Sequence, residues 1–114
     1  MRFSLFIQSP PSSQGAALAL RFARAALAGG HAIRQVFFHA DGVLALIPGE
    51  RGADEVDLDR EWRRLAADHG LSLLACHTAA ARRGVVASER AAVRPGSLAQ
   101  FYAALDASDR LVGF

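Results

Sequence analysis

The only cysteine in the chain, Cys76, stands where an apolar run gives way to a helix-forming one. Leu73, Leu74 and Ala75 precede it with the composition of a buried strand. Thr78 and three alanines follow, and Arg82, Arg83 and Gly84 supply the cations of a last helical turn and the glycine beyond it. A thiol at such a junction faces the unpaired backbone N–H groups of the opening turn, here those of Thr78 and Ala79, and the positive end of the helix dipole. Both favour the thiolate, which is the nucleophilic form. The competing reading is packing: free cysteine is among the most buried residue types, and local features alone favour that reading.

Other side chains offer weaker chemistry. His77 adjoins the thiol in sequence, but neighbours along a helix do not face each other, which makes it a solvent-exposed bystander or at most an auxiliary proton carrier. His39 and Asp41 follow the apolar run Val36, Phe37, Phe38. If the strands are parallel, His39 lies on the same sheet edge as Cys76, and a Cys/His pair is sterically possible. Arg82 and Arg83, one to two turns from the thiol, suit the helix C-terminus or a partner contact. One cysteine with His31, His39, His69 and His77 scattered singly gives none of the paired spacings of a zinc site, so no metal is expected. No Gly-x-Ser-x-Gly elbow marks a hydrolase, and no Gly-x-Gly-x-x-Gly or Walker pattern marks a nucleotide site.

The elements that must position these residues are legible in hydrophobic periodicity. Residues 3–7 form a short apolar strand of the kind covered on both faces. Ser12 or Ser13 caps a helix to about Ala28, with Leu18, Phe22, Ala25 and Ala26 on the buried stripe, Arg21 and Arg24 outside it, and Gly29-Gly30 ending it. Residues 32–39 are a second strand, and strand-helix-strand implies a parallel crossover. A turn at Asp41-Gly42, a short helical or irregular piece at 43–47 and a Gly- and charge-rich loop at 48–56, expected to be the most mobile part, lead to an amphipathic helix over 57–69. That helix carries Leu58, Trp62, Leu65, Ala66 and His69 on one face, closed by Gly70. Residues 71–75 are the third strand, which sets Cys76 at its carboxyl end, the edge where open α/β sheets form binding crevices. Residues 87–95 read as polar and helical in part. Ser97 caps a final helix at 98–107 burying Leu98, Phe101, Tyr102 and Leu105, and residues 111–114 make the last strand.

Length and composition agree with a single domain. The chain has 114 residues, 52% hydrophobic and 21% charged, enough for one buried core. Its net charge is only +2 with no basic run, although all thirteen cations are arginines, so neither nucleic acid nor a membrane surface is an expected partner. No apolar stretch approaches a membrane span, no secretory signal is legible, and one cysteine cannot form an intrachain disulfide; the cytoplasm is the expected compartment. Strands interleaved with helices make a small α/β three-layer sandwich around a mainly parallel sheet.

The spacing Cys-x-x-Ala-Ala-x-Arg-Arg-Gly-Val, carried by Cys76, Ala79, Ala80, Arg82, Arg83, Gly84 and Val85, resembles the active-cysteine segment of the DsrE/TusD family of sulfur-relay proteins. The likeness continues in Met1-Arg2-Phe3, Phe22-Ala23-Arg24-Ala25, Gly29-Gly30-His31, the segment from Phe37 to Val43, the segment from Asp57 to Trp62, and the ending from Asp109 to Phe114. The resemblance implies one DsrE/TusD-like domain over residues 1–114, a flavodoxin-like fold, no cofactor, and a sulfurtransferase in which Cys76 takes sulfane sulfur as a persulfide. By the same resemblance the partners are sulfur-donor and sulfur-acceptor proteins and related subunits of a hetero- or homo-hexamer, serving tRNA 2-thiouridine formation or sulfur oxidation. Two departures stand out: relatives often carry an aromatic where His39 stands, which argues against a required base, and this chain is shorter over 87–97, where partner contacts are in question. A structural paralogue completing an oligomer, and a redox sensor acting through sulfenic acid, remain as alternatives.

Overall fold

The computed structural model describes residues 1–49, 51–52, 55–85 and 93–114. β1 (Arg2–Ile7) leads to α1 (Gln14–Ala28), β2 (Ala32–Phe38) and a 3-10 segment (Ala40–Leu46). Then come α2 (Leu58–His69), β3 (Leu73–Cys76), α3 (His77–Arg82), β4 (Val93–Gly96), α4 (Leu98–Ala103), a 3-10 turn (Ala104–Ala107) and β5 (Arg110–Gly113). The strands form one sheet in the order β4-β3-β2-β1-β5, and each neighbouring pair is parallel. This is the α/β sandwich that the periodicity implies.

Alternation along the central strands shows how the layers are built. Phe3 of β1 meets Phe22 of α1 edge-on at 5.2 Å, and Phe38 of β2 meets Trp62 of α2 at 5.5 Å. Phe6 and Phe37, one pleat out of phase with those residues, instead contact Phe101 of α4 at 5.4 and 5.1 Å. The sheet therefore has α1 and α2 on one face and α4 on the other. Leu5, Ile7, Val36, Phe37 and Phe38 are buried between them, as parallel strands covered on both faces require. No described helix is long and apolar enough to cross a membrane.

Several sequence expectations shift. Ser13 does cap α1 by accepting from Ala16 N–H, but the buried stripe is Ala16, Ala19, Leu20, Ala23 and Ala26; Leu18 and Ala25 point outward and Phe22 is half-buried. Alanines let the helix lie close to the sheet, and the larger residues fall to its rim. On α2 the four apolar residues are buried as expected, whereas His69, the last helical residue before left-handed Gly70, is exposed. Phe101 anchors α4 with Leu98 and Leu105 only half-buried, and Tyr102 is exposed because the next residue along a helix points about 100° away from the buried face.

A strand missed in sequence is β4. Its core residues Val93 and Gly96 bracket exposed Arg94 and Pro95, a polar pattern that alone does not mark a strand. Pro is tolerated because β4 is an edge strand paired only with β3. The helical reading of 87–95 otherwise falls on 87–92, outside the described residues. The loop expected to be mobile includes Glu50, Ala53 and Asp54, which also lie outside them. Its described part is turned by Gly52 N–H to Val56 O at 2.8 Å and an Arg51–Asp57 bridge.

Two contacts fix β1, one at each of its ends. Gly42, buried in the 3-10 segment, lies against the end of β1, where an added Cβ would run into the Ile7 carbonyl, itself the acceptor of His39 N–H at 2.9 Å. At the opposite edge, Asp109 accepts from the Arg2 backbone N–H at 2.8 Å and from its guanidinium at 3.0 and 3.3 Å. The side-chain bond from Arg2, then the backbone bond, hold the Asp109 carboxyl at about 2, below its ordinary 3.8.

Gly42→Ala is expected to destabilise the fold by about 1–3 kcal/mol, since neither backbone can yield easily; urea unfolding of the two proteins measures it. A depressed carboxyl stabilises the folded state above its unfolded value and loses that contribution as pH falls. The urea midpoints of the wild type and Asp109→Asn should therefore differ by a constant amount above 3.8 and converge as pH drops through about 2.

Candidate functional site

β3 passes into α3 without a connecting residue: Cys76 is both the last residue of the strand and the N-cap of the helix, with φ −58° and ψ 115°. The register of β3 against β4 sets Cys76 opposite Gly96, and Phe38 of β2 pairs with Ala75. The strand end is thus held from both sides. The thiol is free, but the residue is only 6% exposed and belongs to the same core as Ala79 and Ala80 of α3. Where the sequence suggested an open thiol, the structure shows a covered one.

Thr78 and Ala79 occupy the second and third positions of α3, where backbone N–H groups have no carbonyl one turn earlier to accept them. The cysteine side chain makes no capping bond to them, so the expected thiol-to-amide contact is not formed in this state. His77 has an exposed ring edge, yet it is no bystander. Its Nδ1 lies 3.0 Å from the Gly96 carbonyl, which can only accept, so Nδ1–H donates and the start of α3 is pinned to the end of β4.

His39 is the extended residue just after β2, one place beyond the Phe38–Ala75 pair, and continuing that register sets it level with Cys76 and on the same sheet face. Among the described residues no hydrogen bond joins them. The His39 ring stacks on Phe37 at 5.9 Å and packs beside Phe6 at 5.5 Å, and its buried Nδ1 has no partner among the described residues. Asp41 leads elsewhere: its Oδ1 accepts from Arg83 Nε at 3.0 Å, while Arg83 Nη1 donates to Ala79 O at 3.1 Å. This link ties the far end of α3 to the 3-10 segment after β2. Both cross-links, His77 to Gly96 and Arg83 to Asp41, join residues 19 and 42 positions apart, and no local pattern announces them.

An open cavity of about 370 Å³ lies at the other end of β3, between Ala66, Gly70, Leu71, Leu73 and Arg94. Among the described residues no three His, Cys, Asp or Glu side chains gather to hold a metal ion.

A doubly covered, all-parallel α/β sheet with one thiol at the carboxyl end of its fourth-from-β5 strand, capping a short helix, defines a small thiol-bearing sandwich of flavodoxin-like type. The chain belongs to the DsrE/DsrF-like family, whose sequence profile matches residues 1–114. It is 42% identical to the sulfurtransferase TusD homolog of Pseudomonas aeruginosa over 127 aligned positions, covering all of this chain and 97% of the relative. It is 45% identical to sulfurtransferase TusD of Erwinia tasmaniensis over 81% of this chain and 73% of the relative. The TusD homolog of Aliivibrio fischeri is 40% identical over 78% and 70%. In fold it resembles the crystal structure of the ychN protein of E. coli, with a TM-score of 0.78 at 17% identity and full coverage of both chains. The relatives support a sulfur-relay, transferase role with partner proteins.

Because Cys76 is 6% exposed, its alkylation by a neutral reagent in the folded chain should run at least about tenfold slower than in urea, the sign of reaction through an opened minority state. Equal rates would mean that the thiol is not covered in solution.

Proposed function

We propose that this protein is a sulfur-carrier subunit in which Cys76 accepts a sulfane sulfur and passes it to a partner thiol. The observation that carries this reading is the coincidence of family and position. Relatives named as sulfurtransferases match over most of the chain, and its single cysteine falls at the β3–α3 junction on the carboxyl edge of the sheet.

The chemistry needs no oxidant. The Cys76 thiolate attacks the outer sulfur of a donor persulfide R–S–SH; a new S–S bond forms at Cys76, the donor S–S bond breaks, and R–S⁻ leaves, giving Cys76–S–SH. In the second step an acceptor thiolate attacks that outer sulfur, and Cys76 thiolate is the leaving group. The N–H groups of Thr78 and Ala79, at the second and third positions of α3, are placed to receive negative charge on the outer sulfur once the thiol is uncovered. His77 and His39 are auxiliary: His77 through its hold on Gly96, and His39 through its level with Cys76.

In keeping with the sulfurtransferase relatives, donor and acceptor are proteins that bring their own cysteines to this edge of the sheet. The chain works with related subunits in a hexamer in the cytoplasm, and the sulfur serves tRNA 2-thiouridine synthesis or sulfur oxidation. A second reading draws on the burial of Cys76: the thiol is packing, and the chain completes an oligomer without carrying sulfur.

Incubation with a persulfide donor followed by intact mass measurement separates the two. The relay reading expects a gain of one sulfur on the wild type, reversed by an acceptor thiol, and none on Cys76→Ser with its fold retained. No gain on the wild type supports the packing role, and a gain on Cys76→Ser sinks the assignment of the site.

A further inference from the structure

We infer that Gly96 is a specificity-determining residue at the thiol: the space left by its missing side chain receives the outer sulfur of a persulfide on Cys76. The inference rests on the reading of Cys76 as the sulfur acceptor. Phe37 of β2 meets Phe101 of α4 and pairs with Leu74 of β3, so Leu74 and, two residues on, Cys76 point to the face that α4 covers. Gly96 of β4 stands opposite Cys76 in the parallel register. A Cβ built on it would lie 3.5 Å from Leu74 Cβ, 3.7 Å from Leu74 Cδ2 and 3.7 Å from Gln100 Oε1 of α4. The missing side chain therefore belongs to that same face, beside the thiol.

A glycine in a strand weakens it, and it commonly marks a left-handed backbone, a bulge, or the close approach of a ligand or another backbone. Gly96 is not among the glycines of positive φ, and the β3–β4 register runs unshifted through it. No described backbone presses on it either, since the nearest described atoms belong to side chains and keep ordinary contact distances. What remains is room for a methyl group, buried next to a free thiol. An outer sulfur, about 2 Å from the inner one, has the size and reach to occupy it, since neighbouring strands stand about 4.8 Å apart. On the other flank, level with Cys76, the buried Nδ1 of His39 has no partner among the described residues. A space without an occupant and a polar atom without a partner thus stand on either side of the thiol, and both mark this face as one that takes a guest.

Glutathione persulfide is the donor for the test. The Cys76 thiolate attacks its outer sulfur, the donor S–S bond breaks and glutathione thiolate leaves, giving Cys76–S–SH in equilibrium with the free thiol. The loaded-to-free ratio is read by intact mass at a fixed proportion of glutathione persulfide to glutathione. Approached from both sides, it reports room for the sulfur and not access to it. Gly96→Ala should lower that ratio about tenfold, the size expected when an added methyl crowds a packed site. Its thermal midpoint should stay at or above that of the wild type, as replacing a glycine of ordinary φ does. Gly113→Ala, on the same face of the opposite edge strand and with only Phe6 O near its added Cβ at 3.9 Å, should leave the ratio unchanged. A ratio for Gly96→Ala within about twofold of the wild type, or an equal fall in Gly113→Ala, would overturn the inference. If Gly96→Ala does not fold, Leu74→Phe, which crowds the same gap from a half-buried position on β3, replaces it with the same expected fall, and an unchanged ratio counts against the inference. Absence of loading on the wild type overturns this inference together with the relay reading; loading on the wild type that Gly96→Ala leaves in place overturns this inference alone.

Discussion

Adjacent parallel strands cannot be joined by a tight turn; each must return to the starting edge by a crossover before it can pair. In a sheet whose neighbouring strands are all parallel, every carboxyl end therefore lies on one edge. That constraint is what makes neighbours of His39, Asp41, Cys76 and the first turn of α3, residues with nothing local in common. It also locates the site relative to the fold's own crevice. Strand order runs outward from β1 through β2 and β3 to β4 and then returns to place β5 on the other side of β1, so the order reverses between β1 and β5. Small ligands of open α/β sheets settle at that reversal. Cys76, two strands away from β1, stands off it, which fits a thiol that exchanges with other proteins better than one that binds a small substrate.

The return to β5 has its own physical requirement. A single short helix, α4, must cross the second face of the sheet, and Phe101 is its one fully buried anchor. A buried polar chain holds the crossing in place: Gln35 Nε2 donates to both Phe101 O and Ser4 Oγ at 3.1 Å, and Ser4 Oγ lies 2.6 Å from Ser108 Oγ. Ser4 and Gln35 are 0% and 4% exposed, so each bond compensates a desolvation that would otherwise oppose folding. The chain links β1, β2, α4 and the approach to β5, and the Arg2–Asp109 fork closes the same corner from the solvent side. Directional bonds here do what the thin apolar layer cannot, which is to specify a single seating for the last two elements.

The sequence carried the fold wherever period and composition agreed. Alternation-free apolar runs at β1, β2 and β3, caps at Ser13 and Ser97, and Gly70 beyond α2 all stand where periodicity put them. It misled where alanine blurs the contrast: in α1 nearly every face is apolar, and the true inner stripe is the one with the smallest side chains, because closeness to the sheet outweighs hydrophobicity per residue. It was silent on β4, whose Arg94 and Pro95 face away from the core and whose identity as a strand comes from β3 beside it. Of the site, the junction at Cys76 was legible because strand and helix signals meet there. The links that hold α3 were not, since His77–Gly96 and Arg83–Asp41 are tertiary contacts between segments whose residue types suit many other partners.

A covered thiol and a relay role are at odds only if the cover is rigid. A carrier persulfide exchanges with any thiol that reaches its outer sulfur, so a permanently open site would lose its sulfur to chance encounters. A thiol sealed by a well-packed helix would never load. α3, the helix that Cys76 caps, is itself lightly held: it buries two alanines, ends on 3-10 bonds, and has one side-chain link at each end. Segments with few buried contacts belong to the low-stability end of a protein's opening spectrum and open without unfolding the sheet beneath. The strand that presents Cys76 is anchored on both sides by pairing with β2 and β4, so local opening of α3 would leave the sulfur at the strand end in place. On the proposed relay reading, the burial of Cys76 protects the sulfur between transfers, and the light hold on the helix it caps is what a docking partner would exploit.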